Sequence, residues 1–511
     1  FAPVNDAFLA LGDYELAVLF EEGTEALLGK ILTFHVVAGR VLAGDLTDGG
    51  TATTVQGGTL TFDLSDASDP RVNGISITTT DIEVANGVIH LVDEVILPPL
   101  DIVETAALEI STATLVDAVA AAELADALSA EGPFTVFAPA NAGFENLGPL
   151  TVQNLLDPAN QAILKDVLQY HVIAGDIRST DLSDGQTATT LEGGEVTFDL
   201  SGATPQINGV NITVTDIVTE NGVIHIIDDV LTQSMDIVQR ATITPPTGTL
   251  VAAIEAASAN SSTDVASVLS GPGPYTVFAP LDDAFAALGS DRLDVLLDPA
   301  NADLLAKILT YHVVPGDIRS SDLSDGQTVT TLEGSELTFD LSDPTRPKVN
   351  GINLNTTDIV TENGVIHLVE GVLTQNLDLV DVATVEGFST LVGLVEQQGL
   401  TETLRGDNAG DGYTVFAPTN DAFAALSSVP SGDDLTNTLL YHVVPATVAA
   451  GDLTDGQVVS TAFSGHDFTV DIDGSVTITD ESGNTVNVTV TDVAAANGLI
   501  HVIDAVLIPA P

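Results

Sequence analysis

The tripeptide Phe-Ala-Pro starts at Phe1, Phe137, Phe278 and Phe416, at intervals of 136, 141 and 138 residues. Solenoid repeats run about 20 to 50 residues and cannot stand alone, whereas a unit near this length can bury a core of its own. The 511 residues therefore divide into four domains, 1–98, 99–234, 235–376 and 377–511. A second set of landmarks keeps the same register. Phe34-His35, Tyr170-His171, Tyr311-His312 and Tyr441-His442 are followed, 54 to 59 residues on, by His90, His225, His367 and His501. Only His466 of the nine histidines falls outside the repeat, so the other imidazoles belong to the unit and not to one special site. Val230-Leu231-Thr232-Gln233 closes one unit and Asp236-Ile237-Val238 opens the next without a Gly/Ser spacer, which predicts neighbours packed into a semi-rigid rod.

Within a unit the apolar period changes from helix to strand. Asp157-Pro158 and Asp298-Pro299 read as N-cap and first residue of a helix, because the carboxylate accepts orphan amide protons and proline has none to offer. Leu304, Leu305, Ile308 and Leu309 then form a one-sided stripe that places His312 inward. Beyond the aromatic-His pair, Asp184-Gly185 and Asp325-Gly326 mark turns. Asn-Gly pairs at Asn73 and Asn86, Asn208 and Asn221, and Asn350 and Asn363 predict type I′ hairpins. Val210, Ile212 and Val214 alternate as a strand with one buried face, and the nearly continuous apolar run around His225 predicts an interior strand. In the fourth unit Asn484-Thr485 replaces the first Asn-Gly, and no Asp-Pro precedes the helix. Pro245-Pro246 predicts a turn ahead of the third unit's first helix.

Charge narrows the partners. Twelve Lys and Arg against 73 Asp and Glu give a net charge of −61, which repels nucleic acid and anionic lipid headgroups and attracts cations. Such self-repulsion is relieved as the Debye length falls from about 10 Å at 0.1 M salt to about 3 Å at 1 M, which suggests a marine or halophilic habitat. Apolar residues make up 44% of the chain and aromatics 5%, with no Trp, so Val, Ile, Leu and Ala must do the packing. The absence of Cys removes disulfides and thiolate chemistry. No apolar run of about 18 residues exists, so no membrane insertion is expected in this segment. The chain opens inside a motif, at Phe1-Ala2-Pro3, so a signal peptide upstream would not be visible.

The sequence resembles the fasciclin (FAS1) domain family. The resemblance rests on Thr276-Val277-Phe278-Ala279-Pro280 with Asp283-Ala284-Phe285, on Tyr311-His312-Val313-Val314 and on Asn363-Gly364-Val365-Ile366-His367, landmarks that recur in order four times. It implies an α+β fold, each domain a β-sandwich or wedge of about seven strands with several packed helices. It also implies a secreted or cell-surface adhesion protein, with matrix proteins, cell-surface proteins or glycans as partners. In animal members the tyrosine-histidine segment is associated with integrin-dependent adhesion, which makes Phe34, His35, Tyr170, His171, Tyr311, His312, Tyr441 and His442 the candidate adhesion motif; consecutive residues at a helix end point in different directions, so the pairs also read as core packing, His inward and Tyr at the rim, that fixes the shape of a neighbouring surface. Three departures stand out. The first unit has Phe34 for tyrosine, and the second has Ala142-Gly143 in place of Asp-Ala, which loses a helix cap unless Asn141 substitutes. By comparison with Asp101 to Phe137 and Asp378 to Phe416, the first unit also lacks 36 to 38 residues ahead of its motif and is expected to be incomplete and the least stable.

Other chemistry is weakly signalled. His90, His225, His367 and His501 lie within apolar strands, where an imidazole is more often held by backbone hydrogen bonds, and they are assigned to the core. Two histidines per unit with no reproducible third ligand do not make a zinc site. Asp181-Leu182-Ser183-Asp184-Gly185 and its equivalent at Asp322 lack EF-hand spacing and read as Asx turns, leaving only weak divalent-cation binding. No nucleophile elbow, phosphate loop or dinucleotide fingerprint occurs, so neither a catalytic residue nor a cofactor is assigned. The sequons at Asn211, Asn260, Asn355 and Asn487 are read as coincidental in a Thr-rich chain. Four similar units favour a multivalent adhesin, since linked weak sites raise avidity by about 10² to 10⁴. The alternatives are an envelope or biofilm-matrix component bridged by divalent cations, and an enzyme using a His and Asp of one domain.

Overall fold

A computed structural model describes residues 1–510. The chain divides into two compact units, Phe1–Met235 and Asp236–Pro511, each containing two sheets. Three sheets have seven strands and the first has six. The second domain shows the pattern. At the centre, Phe134–Pro139 runs parallel to Gly222–Ile227, with Phe137 opposite His225. Both strands are covered on both faces, which is why each reads as an almost unbroken apolar run. Val172–Ala174 pairs antiparallel on one side, and Val210–Val218, Gln206–Ile207, Glu195–Asp199 and Thr187–Thr189 follow on the other. An Ile173–Thr190 bridge joins the two edges, so the sheet curls around an interior filled by Phe137, Tyr170, Phe198, Ile207 and Ile227. Glu195–Asp199 illustrates the code: Val196 and Phe198 are buried between exposed Glu195, Thr197 and Asp199.

In the six-stranded first sheet Ala2–Pro3 runs parallel to Gly87–Val92, and Val37 makes an isolated bridge to Thr54.

A second core lies between the helices and the outer face of the central strands. The Asp-Pro pairs open a short 3-10 turn, Pro158–Asn160, in which Asp157 accepts the Ala159 N–H at 2.8 Å, and this feeds into the helix Gln161–Tyr170. That helix buries Leu164, Val167, Leu168 and Tyr170 on one stripe. In the fourth domain the corresponding helix, Asp433–Tyr441, starts after Gly432 without the 3-10 turn.

Four local expectations are corrected. Val214 is exposed, because its strand bulges: Ile212 pairs with Ile227 and Val214 with Ile226, so two residues oppose one and the alternation slips. Only the first Asn-Gly of each pair forms a type I′ turn, with φ of 49° at Asn208 and 82° at Gly209. In the second, Asn221 keeps negative φ and Gly222 enters the strand, where a Cβ would stand 1.9 Å from the Phe134 carbonyl oxygen. Nor does the second domain lose a cap. Its helix Asn141–Leu147 has Ala140 at the cap position and the third domain's Asp282–Ala286 has Leu281, neither capping through its side chain. Asn141 and Asp282 instead accept the Thr114 and Thr249 N–H groups at 2.9 and 2.7 Å, tying two helices together. Pro245-Pro246 turns the chain after the third domain's first helix, Ile237–Ile243, not before it.

Candidate functional site

Each helix that carries the aromatic-His pair ends on its histidine as C-cap. The His171 ring is buried with Nδ1 2.7 Å from the Val167 carbonyl oxygen and Nε2 accepting the Leu231 N–H at 2.9 Å. His35 repeats this with Ile31 and Ile96, His312 with Ile308 and Leu373, and His442 with Thr438 and Leu507. One ring nitrogen faces an acceptor and the other a donor, which assigns a neutral imidazole protonated on Nδ1. Burial holds His171, His312 and His442 down at about 4, and lowers His35 as well. The partners lie 4 residues back and 60 to 65 residues ahead, so each ring clips the helix end to the segment leaving the sheet.

The second histidine of each domain is the opposite tautomer. His225 accepts the Asp216 N–H on Nδ1 at 3.2 Å and donates from Nε2 to the Ile177 carbonyl at 2.9 Å, while its ring stacks on Phe137 at 5.2 Å. Asp216 sits in the bulged strand with φ of 62°, and its carboxylate accepts the Ser179 N–H at 2.8 Å. His90, His367 and His501 engage Asp81, Asp358 and Asp492 in the same way. Desolvation lowers His225 and His367 below the ordinary range. With every ring nitrogen engaged, none of these eight histidines offers a free base. Among the described residues, no cluster of three or more His, Cys, Asp or Glu side chains is arranged to hold a metal ion. The Asp-rich turns use their carboxylates locally: Asp181 accepts the Arg178 N–H and Asp184 the Leu200 N–H, both at 2.9 Å.

The aromatic partner of the first histidine is buried too. Tyr170 donates its hydroxyl to the Glu195 carbonyl and accepts from Asn208 Nδ2, both at 2.8 Å, which fastens the type I′ turn to the sheet interior. Tyr311 does the same with Glu336 and Asn350, and Tyr441 with Asp467 and the Glu481 N–H. Desolvation raises Tyr311 and pushes Tyr441 up to about 12, so both stay protonated. Phe34 fills the same place without a hydroxyl. All eight residues of the candidate adhesion motif are thus interior.

Beside this buried pair, sequence reasoning missed a residue that is exposed. Val55, Leu191 and Leu332 are 56%, 42% and 37% exposed, and each donates its N–H at 2.7 Å to the residue after the histidine: Val36, Val172 and Val313. The signal was available, since an apolar residue recurs in Thr54-Val55-Gln56-Gly57, Thr190-Leu191-Glu192-Gly193 and Thr331-Leu332-Glu333-Gly334, where a turn should be polar. The fourth domain has Ala462 at this position, bonded identically to Val443.

A Fasciclin domain model matches residues 1–98, 111–233, 249–375 and 386–509. Transforming growth factor-beta-induced protein ig-h3 of Sus scrofa is 29% identical over 534 aligned residues, covering 100% of this chain and 72% of that protein. Protein sll1483 of Synechocystis sp. is 44% identical over 140 residues, 27% of this chain and 73% of that protein. A solved FAS1 domain pair from the insect cell adhesion molecule Fasciclin I aligns with 54% of this chain and 96% of that one, at 16% identity and a TM-score of 0.27.

Proposed function

The chain belongs to the fasciclin domain family over four tandem regions, and from that premise we propose that it is an extracellular or cell-surface adhesion protein of four units, 1–98, 99–234, 235–376 and 377–511, the first three of which present a shared apolar tip to matrix proteins, cell-surface proteins or glycans. Family membership supports adhesion in general terms. The observation that carries the finer reading is the repeated apolar tip at Val55, Leu191 and Leu332, exposed and held by one backbone bond next to the buried aromatic-His pair. In this reading the pair acts by positioning the tip, and partners touch the tip. Weak sites in tandem then gain avidity from linkage.

The test uses the full chain. Val55→Ser, Leu191→Ser and Leu332→Ser singly should weaken binding to matrix-coated surfaces or cells a few-fold, and together by about two orders of magnitude. Unchanged adhesion in the folded triple variant would sink the reading. The net charge of −61 favours a second one, an envelope or matrix component bridged by divalent cations. Light scattering that rises with calcium and reverses with chelator would support that role, and a flat response would remove it.

A further inference from the structure

The space between the helices and the outer face of the central strands has the same walls in three domains but not the same volume. In the second domain it amounts to about 30 Å³, lined among others by Ile102, Val119 and His171, and in the third to about 10 Å³, lined by Ile237, Ile254 and His312. In the fourth, between Leu379, Val395 and His442, it opens to about 680 Å³. The widening has identifiable causes. From Leu404 to Tyr413 the chain takes nine positions, against six from Leu269 to Tyr275, so a longer loop separates the helix Thr401–Arg405 from the strand Tyr413–Pro418. Between Phe416 and Tyr441 it takes 25 positions, against 33 between Phe278 and Tyr311. Ala462 stands where Leu191 and Leu332 stand, and the next residue, Phe463, packs against the sheet-interior core and stacks on His466 at 3.9 Å.

We infer that this cavity is a binding site for an uncharged, mainly hydrocarbon small molecule with one hydroxyl or carbonyl head. Its size lies within the roughly 300–1000 Å³ range of sites that enclose drug-sized ligands, between helices and with apolar walls, as such sites usually are. Most of the lining is aliphatic, with the buried Thr461 and the half-buried Asn408 among it, and the exposed Thr403, Ser460 and Ser464 can meet a hydroxyl or carbonyl. Charge selects against acids. Asp467 is the one carboxylate among the lining residues, no Lys or Arg lines the space, and the chain carries −61 overall, so an anionic head would enter unpaired. The His442 imidazole at the cavity wall has both nitrogens committed to backbone partners and gives the ligand a neutral surface.

The experiment titrates the full chain with the uncharged fluorophore N-phenyl-1-naphthylamine and displaces it with dodecan-1-ol or dodecanoate. Expected are one saturable site per chain, displacement by the alcohol at least tenfold better than by the carboxylate, and slowed hydrogen exchange in the helix Ser389–Gln397 with the alcohol bound. Ala462→Phe and Val392→Phe, which fill the space from the mouth and from the helix, should each weaken binding at least tenfold. Val116→Phe, at the position in the second domain equivalent to Val392, should leave it unchanged. Absence of saturable binding, equal displacement by dodecanoate, or exchange protection outside the fourth domain would overturn the assignment, and this exchange readout needs no variant to fold.

Discussion

The seam between the first and second domains and that between the third and fourth use the same parts to different effect. Lys30 and Lys307 occupy equivalent positions, four residues before Phe34 and Tyr311, on the helices Glu25–Phe34 and Ala302–Tyr311. Each reaches a capping box at the start of the next domain's first helix, Asp101 ahead of Ile102–Ala107 with Glu104 inside it, or Asp378 ahead of Leu379–Val385 with Asp381 inside it. Lys30 meets Glu104 at 2.7 Å and Glu220 at 3.6 Å, with Glu220 largely exposed. Lys307 meets Asp381 at 2.6 Å and Asp378 at 3.6 Å, and Arg405 adds bonds of 2.8 and 3.0 Å to the same two carboxylates. The Asp381 side chain is 4% exposed, against 22% for Glu104.

The shorter acid and the more apolar helix account for the difference. Leu379, Val380, Val382, Ala383 and Val385 are all buried, whereas only Ile102 and Ala106 are buried in the earlier helix. Aspartate, one methylene shorter than glutamate, keeps its carboxyl group inside that packing. Burial pushes the Asp378 carboxyl above its ordinary range, which shows that the second seam holds its ions at a desolvation cost. A surface hook thereby becomes a buried lock. It adds little net stability when complete, and it is costly to break by halves.

The largest expected effect comes from Lys307→Met combined with Arg405→Met, which strands two carboxylates without counter-ions. It should destabilise the fourth domain's first helix by about 3–5 kcal/mol, read as accelerated hydrogen exchange in peptides covering Leu379–Val385. Adding Asp378→Asn and Asp381→Leu to that variant should recover most of the loss, and failure to recover would mean that the ions, and not the surrounding packing, carry the seam.

Taken group by group, acid is the next largest perturbation, and it should reach both units. His171, His312 and His442 titrate at about 4 in the folded chain and near 6.5 when unfolded, so the unfolded state binds more protons between those values. Their contribution, on the order of 3 kcal/mol each, is complete above about pH 6.5 and is lost as pH falls towards 4. Urea midpoints measured across that window should drop steadily, and midpoints flat from pH 7 to 4 would show that the rings are not the clips described.

Lys30→Met should cost at most about 1 kcal/mol, and less in 1 M salt, where an exposed pair is screened. Equal losses at Lys30 and Lys307 by the same exchange measurement would erase the contrast between the seams.

Much of this was legible beforehand. The period near 140, the inward His312 and the interior strand around His225 follow from spacing and apolar pattern, because burial is written into every third, fourth or second residue. Where legibility failed, a long-range contact had overruled a local rule. Gly222 looked like a turn glycine and is a strand residue crowded by Phe134, and Val214 looked buried until a bulge at Asp216 shifted its register.

By itself, then, the sequence determined that four units of one kind exist, where most of their helices and strands run, and that they carry a net charge of −61. Those properties sum over many residues and tolerate local error. Only the tertiary structure decided that Leu191 is displayed while Tyr170 is hidden, that one capping box is a hook and the other a lock, and that the fourth domain opens a cavity where the second and third are filled. Each of these turns on distances between residues far apart in the chain, where one methylene or three extra loop residues reverse the outcome without changing the pattern that specifies the fold.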